Sequence, residues 1–108
     1  MNPKLPKIIE HYVEATNTNN MAAFLSCFAE DATVLDEGET LQGKKAIEAW
    51  FTKTKTKYNH TTEPVSINEN GDELLLKSKV TGTFKGSPLV LDYRIKVKAG
   101  LIQDLRIA

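Results

Sequence analysis

The spacing of apolar residues changes once along this chain of 108 residues, and that change limits what it can fold into. Up to Tyr58, apolar side chains recur at i, i+3, i+4 and i+7, the stripe of an amphipathic helix. From His60 onward they recur at every second residue, the period of a strand with one buried face. Three helical stripes are visible: Ile9, Tyr12, Val13 and Thr16; Met21, Phe24, Leu25 and Phe28; and Ile47, Trp50, Phe51 and Thr54, extended to Tyr58. Helices first and an antiparallel meander second is an α+β order.

Local chemistry places the boundaries. Asn2-Pro3 and Pro6 fit a helix start, because the first-turn amides lack intrahelical partners and proline has no donor to lose. Thr16-Asn17-Thr18-Asn19-Asn20 is a polar break, with Asn20 able to accept from the amides that open the second helix. A short β run, Ala32-Thr33-Val34-Leu35, precedes a turn at Glu37-Gly38-Glu39, and Leu41-Gln42-Gly43 leads into the third helix. Long strands are expected over Thr61 to Asn68, Glu73 to Phe84, Leu89 to Lys98 and Leu101 to Ile107, with turns at Asn70-Gly71, Lys85-Gly86-Ser87-Pro88 and Gly100. Elements with one apolar face each are satisfied together when the sheet curves around the helices, which leaves a hollow at the open end. Ser78 and Gly82 interrupt a bulky inward face, which leaves room for a ligand or a strand bend.

The length fits one domain, residues 1–108, with a single core. The single cysteine, Cys27, allows no intrachain disulfide and lies in an apolar stretch, the pattern of a small core residue in a protein of the reducing cytoplasm. No His or Cys cluster has metal-ligand spacing and no cofactor motif occurs, so neither a metal nor a cofactor is expected. Lys plus Arg and Asp plus Glu balance at 14 each, which gives no field to attract nucleic acid or anionic lipid. Lys53, Lys55 and Lys57 spread around their helix as a solvated face. No apolar run reaches membrane-spanning length and no secretory h-region follows the first residues, so neither membrane nor export is expected.

The blocks Phe-Ala-Glu-Asp-Ala-Thr-Val at 28–34 and Gly-Lys-Lys-Ala-Ile-Glu-Ala-Trp-Phe at 43–51, followed by a meander ending Gly100-Leu101-Ile102-Gln103-Asp104-Leu105, resemble the nuclear transport factor 2 superfamily. Within it the chain is similar to the SnoaL-like and ketosteroid isomerase-like proteins. That resemblance covers nearly the whole chain. It implies a cone-shaped, cystatin-like roll, with three N-terminal helices packed in a strongly curved antiparallel sheet, and a homodimer formed through the outer sheet face. It also implies an internal pocket for a small hydrophobic carbonyl or a polyketide- or steroid-like molecule, in a superfamily that hosts isomerases, cyclases, hydratases, carriers and interaction modules.

Three residues carry the chemistry this resemblance implies. Asp36 ends the short β run between two amphipathic helices, where a half-buried carboxylate becomes basic enough to take a proton from carbon beside a carbonyl; as a turn residue it would instead open Asp36-Glu37-Gly38. Tyr12 matches the oxyanion-stabilising tyrosine of the isomerases, or is a core aromatic. The isomerases' third group is a protonated aspartate on the penultimate strand. An ungapped count from Gly100 puts Asp92 there, but Asp92 alternates with Arg94, Lys96 and Lys98, whereas Tyr93 shares its face with Leu91, Ile95 and Val97. Tyr93 is therefore taken as inward and Asp92 as paired outside. Phe28, Trp50 and Phe84 are expected as apolar wall, and His60 as a titratable group on the rim. The same residues fit cofactor-independent proton transfer, a binding module without catalysis, or a dimeric interaction module with a vestigial cavity.

Overall fold

The computed structural model describes residues 4–36 and 38–107. Three helices, α1 (Lys7–Asn17), α2 (Met21–Ser26) and α3 (Lys44–Tyr58), pack on a sheet of six strands: β1 (Phe28–Asp36), β2 (Glu39–Gln42), β3 (Thr61–Asn70), β4 (Glu73–Thr81), β5 (Leu89–Lys98) and β6 (Leu101–Ile107). The strand order is β2-β1-β6-β5-β4-β3.

The helix boundaries follow the expected chemistry. Pro6 is the N-cap of α1, while Asn2 and Pro3 lie outside the described residues. The Asn20 side chain accepts from the Ala23 amide at 3.1 Å, so one first-turn donor of α2 is satisfied. At the far end of α3, Asn59 adopts the left-handed conformation with φ 46° and donates its amide to the Lys55 carbonyl.

The sheet departs from the expected meander in three places. β1, expected from Ala32, starts at Phe28, because α2 stops at Ser26 and Cys27 caps it. Residues 39–42, expected to lead straight into α3, form an edge strand antiparallel to β1, with Val34 opposite Leu41 and Asp36 opposite Glu39. Glu37, placed in the turn between them, lies outside the described residues. The sheet is also not wholly antiparallel: β1 runs parallel to β6, with Val34 opposite Leu105.

Burial alternates along the strands as the period-two pattern requires. Leu74, Leu76, Ser78 and Val80 of β4 and Tyr93 and Ile95 of β5 are buried, while Lys77, Lys79, Arg94 and Lys96 are exposed. One inward row crosses four strands through Val34, Leu105, Ile95 and Leu74. Phe24, Phe28 and Phe51 cluster among the core residues, with Phe24 stacked on Phe51 at 3.9 Å and tilted against Phe28 at 5.1 Å. Such burial of large side chains stabilises the roll by roughly 1.5–3 kcal/mol each. The next rows, with Tyr93 and Ile107 and then Leu89, Val80 and Thr62, meet smaller or polar helix residues such as Thr16 and Thr54 and are left uncovered.

Candidate functional site

That shortfall of helix bulk leaves a cavity of about 460 Å³ between the sheet and the ends of α1 and α3. Its walls are mainly apolar, from Trp50, Val80, Phe84, Leu89, Leu91 and Ile107. Tyr12, Thr16, Asp36, Thr54, Tyr58, His60, Thr62, Lys85 and Tyr93 supply its polar atoms.

Asp36 reaches the cavity because it lies two residues beyond the buried Val34, on the same inward face of β1. The Trp50 indole donates to its carboxylate at 3.0 Å. Trp50 comes from the buried stripe of α3, so packing of the helix sets the position of the donor and the donor sets that of the acid. A charge-assisted bond of this kind fixes orientation as well as supplying energy.

Tyr12 and Tyr93 meet edge to face with ring centroids 6.4 Å apart, one from α1 and one from β5. Burial holds the Tyr12 phenol well above its ordinary pKa, and the nearby Tyr93, Asp36 and Cys27 add to the rise. Burial, against a lowering influence of the Thr62 hydroxyl and with a smaller rise from the Asp36 charge, likewise brings Tyr93 up to about 12. Both phenols are therefore protonated donors across the physiological range, and both feel the Asp36 charge. The Thr62 hydroxyl stands near Tyr93 but short of hydrogen-bond geometry, so its Oγ1 is left without a partner, as are the buried Oγ1 of Thr16 and Oγ of Ser78. Asp92 lies on the other face of β5, 3.4 Å from the Lys77 ammonium and about half exposed, as alternation predicts. An exposed pair of this kind contributes ~0–1 kcal/mol.

His60 sits at the junction of α3 and β3, half-buried, with Nε2 3.4 Å from the Thr54 hydroxyl. The Lys55 ammonium donates to the His60 carbonyl. Burial, aided by that cation, pushes the imidazole down to about 4, so the ring is neutral near pH 7.

Two expectations for the wall need correction. Phe28 does not line the cavity: it is fully buried between Phe24 and Tyr12, because β1 begins there and turns the ring into the closed end of the roll. Ser78 and Gly82 do not provide open space. Ser78 is fully buried, and a Cβ at Gly82 would stand 2.6 Å from the Tyr58 carbonyl, so the missing side chain admits the end of α3 rather than a ligand. The Thr83 amide donates to that same carbonyl at 2.7 Å, which ends β4 early, at Thr81, and docks the following loop on the helix. Docking places Phe84 and Lys85 on the cavity, with Phe84 edge-on to Tyr58 at 5.8 Å. Tyr12, Asp36, Trp50, His60, Phe84 and Tyr93 are thus brought together, while Thr16, Thr54, Tyr58, Thr62 and Lys85 join them without having stood out in the sequence. Thr16, Thr54 and Tyr58 did carry one signal, since they continue the apolar stripes of α1 and α3.

Among the described residues no group of three or more His, Cys, Asp or Glu side chains could hold a metal ion, and no helix is long and apolar enough to cross a membrane.

Three helices packed in a curved, open six-stranded sheet with a cavity at one end make up the nuclear transport factor 2-like fold. The chain belongs to the SnoaL-like domain family, whose profile matches residues 9–104. Among solved structures it is similar to a candidate polyketide cyclase from Sinorhizobium meliloti, at 38% identity and a TM-score of 0.94, over 96% of this chain and 95% of that one. It is also similar to a protein of ketosteroid isomerase-like fold from Catenulispora acidiphila, solved with trimethylamine, at 21% identity and a TM-score of 0.86 over 97% and 86% of the two chains. A nuclear transport factor 2-like protein of unknown function from Cytophaga hutchinsonii matches at 15% identity and a TM-score of 0.80 over 100% and 93%. These last two likenesses concern the fold. No curated protein matches the chain.

Proposed function

We propose that the domain binds a small, mainly apolar carbonyl compound of polyketide-like or steroid-like character in this cavity, and that Asp36 moves a proton at the carbon beside the carbonyl. The observation that carries this reading is the convergence of Asp36, Tyr12 and Tyr93 on one cavity of about 460 Å³. In the forward step the Asp36 carboxylate takes the proton from the α-carbon, and the C–H electron pair becomes the enolate, with its charge on oxygen. Tyr12 and Tyr93 donate hydrogen bonds to that oxygen; because burial keeps both phenols protonated, neither gives up its proton to the carboxylate. The proton then returns from Asp36 to the same carbon or to a conjugated one, which exchanges or isomerises the compound without a cofactor. The Trp50 indole keeps the carboxylate aimed during both transfers. The likeness to a candidate polyketide cyclase supports a carbonyl substrate.

Exchange of the α-protons of 2-tetralone in D2O, followed by NMR, tests the proposal. The protein is expected to speed exchange above buffer, and Asp36→Asn to lose ~10²-fold or more of the added rate while still binding the ketone in a thermal-shift assay. Binding without accelerated exchange would overturn the proton transfer and leave a binding module; absence of binding by 2-tetralone and related bicyclic ketones would overturn the reading altogether.

A further inference from the structure

Resting on that binding reading, we propose that His60 presents Nδ1 to the cavity as a hydrogen-bond acceptor, so that the ligand class carries a hydroxyl group as well as a carbonyl. Thr54 Oγ1 donates its one hydrogen to the Phe51 carbonyl at 3.2 Å, so toward His60 Nε2, 3.4 Å away, it has only a lone pair to offer. With the Thr54 hydrogen on the Phe51 carbonyl, the nearer of its two neighbours, the ring hydrogen is assigned to Nε2. In a neutral imidazole the other nitrogen is then bare, an acceptor with no hydrogen of its own.

Neutrality is secured by the surroundings. The ring is half-buried and Lys55 holds its ammonium against the His60 carbonyl, so a positive charge on the ring is disfavoured. Nδ1 meets no protein donor among the described residues, and it is not among the sealed, unpartnered polar atoms, which are the hydroxyls of Thr16, Thr62 and Ser78. It is therefore open to a ligand.

The cavity has two unlike poles as a result. Tyr12 and Tyr93 offer hydrogen-bond donors, suited to a carbonyl or enolate oxygen, while His60 offers an acceptor, suited to a hydroxyl hydrogen. A simple ketone satisfies the first pole only. A hydroxyketone, a phenolic ketone or the enol form of a diketone satisfies both, and Lys85 at the cavity favours hydroxyls of the more acidic kind, phenols and enols.

Two measurements test this. In the ligand-free protein at pH 7, long-range ¹⁵N–¹H correlation spectra are expected to show His60 as the Nε2–H tautomer; the Nδ1–H tautomer or a protonated ring would overturn the proposal without touching the proton-transfer reading. In binding assays, ring-hydroxylated 2-tetralones are compared with 2-tetralone and with their methyl ethers, which keep the oxygen but lose the donor. At least one hydroxylated isomer is expected to bind about 3- to 10-fold tighter than both references. His60→Phe should erase that preference, and His60→Asn, which keeps an acceptor near the Nδ1 position, should retain most of it. Binding of 2-tetralone with no preference for any hydroxylated isomer, or a preference that survives His60→Phe, would overturn this proposal alone. Failure of every compound to bind would overturn the binding reading and this one with it.

Discussion

Protonation of His60 is the perturbation whose energetic effect can be worked most fully from the structure. Burial and the Lys55 charge take the imidazole from its ordinary 6.5 to about 4 in the folded protein. Well above pH 6.5 neither folded nor unfolded chain binds this proton, and the group has no effect on stability. As the pH falls below 6.5 the unfolded chain takes up a proton that the folded chain refuses, so stability drops until about pH 4, where the folded ring also titrates. At pH 5 the full effect is about 2 kcal/mol; because the ring is only half-buried, solvent screening reduces it to roughly 1 kcal/mol. Urea unfolding at pH 7 and pH 5, for the wild type and His60→Asn, isolates this contribution, since His11 and the carboxylates are common to both chains. The wild type is expected to lose about 1 kcal/mol more than the variant between the two pH values. Equal losses would show that the imidazole is not held neutral, and a smaller loss in the wild type would mean that the folded ring is stabilised in its charged form.

Gly82→Ala is expected to lower stability by ~1–3 kcal/mol, because the new methyl would stand 2.6 Å from the Tyr58 carbonyl, a backbone atom that also accepts from Thr83; thermal melting reads this directly. Phe28→Ala and Phe84→Ala should separate core from cavity. The first should cost ~3–5 kcal/mol in urea unfolding, whereas the second should cost far less and weaken 2-tetralone binding. Spectrophotometric titration of phenolate absorbance, compared with Tyr93→Phe, should show that the Tyr93 phenol ionises only near pH 12; a Tyr93 step near pH 10 would mean that water reaches it freely.

The elements that could be read from the sequence are those whose signal is local. The switch from helical to alternating spacing at Tyr58–His60 is where α3 ends and β3 begins, and the Asn20 cap and the Asn70-Gly71 turn follow from single residues. Alternation also favoured Tyr93 over Asp92 as the inward residue, because a slip would have exposed four apolar residues at once. Features that depend on distant partners were not legible. The parallel pairing of β1 with β6 joins residues more than sixty positions apart, and β2 is too short to show a period. Phe28 shares the helical spacing of Phe24 by coincidence, since a residue that opens an inward strand just after a helix can fall in phase with it. Among the cavity residues, Asp36 and Tyr12 were legible through chain order, whereas Lys85 arrives only because its loop docks on the end of α3. A glycine within a bulky inward face was the visible trace of that docking, although its meaning, close approach of backbone rather than space for a ligand, required the coordinates.

In the proposed reaction one cavity aims two phenols and a carboxylate at a single carbonyl. A crystal structure with 2-naphthol, a flat mimic of the enol, tests it most directly. The account predicts the naphthol oxygen within hydrogen-bond distance of the Tyr12 and Tyr93 hydroxyls, with the rings against Trp50 and Leu91. Naphthol bound in the cavity with its oxygen turned away from both phenols, or bound only outside it, would contradict the account.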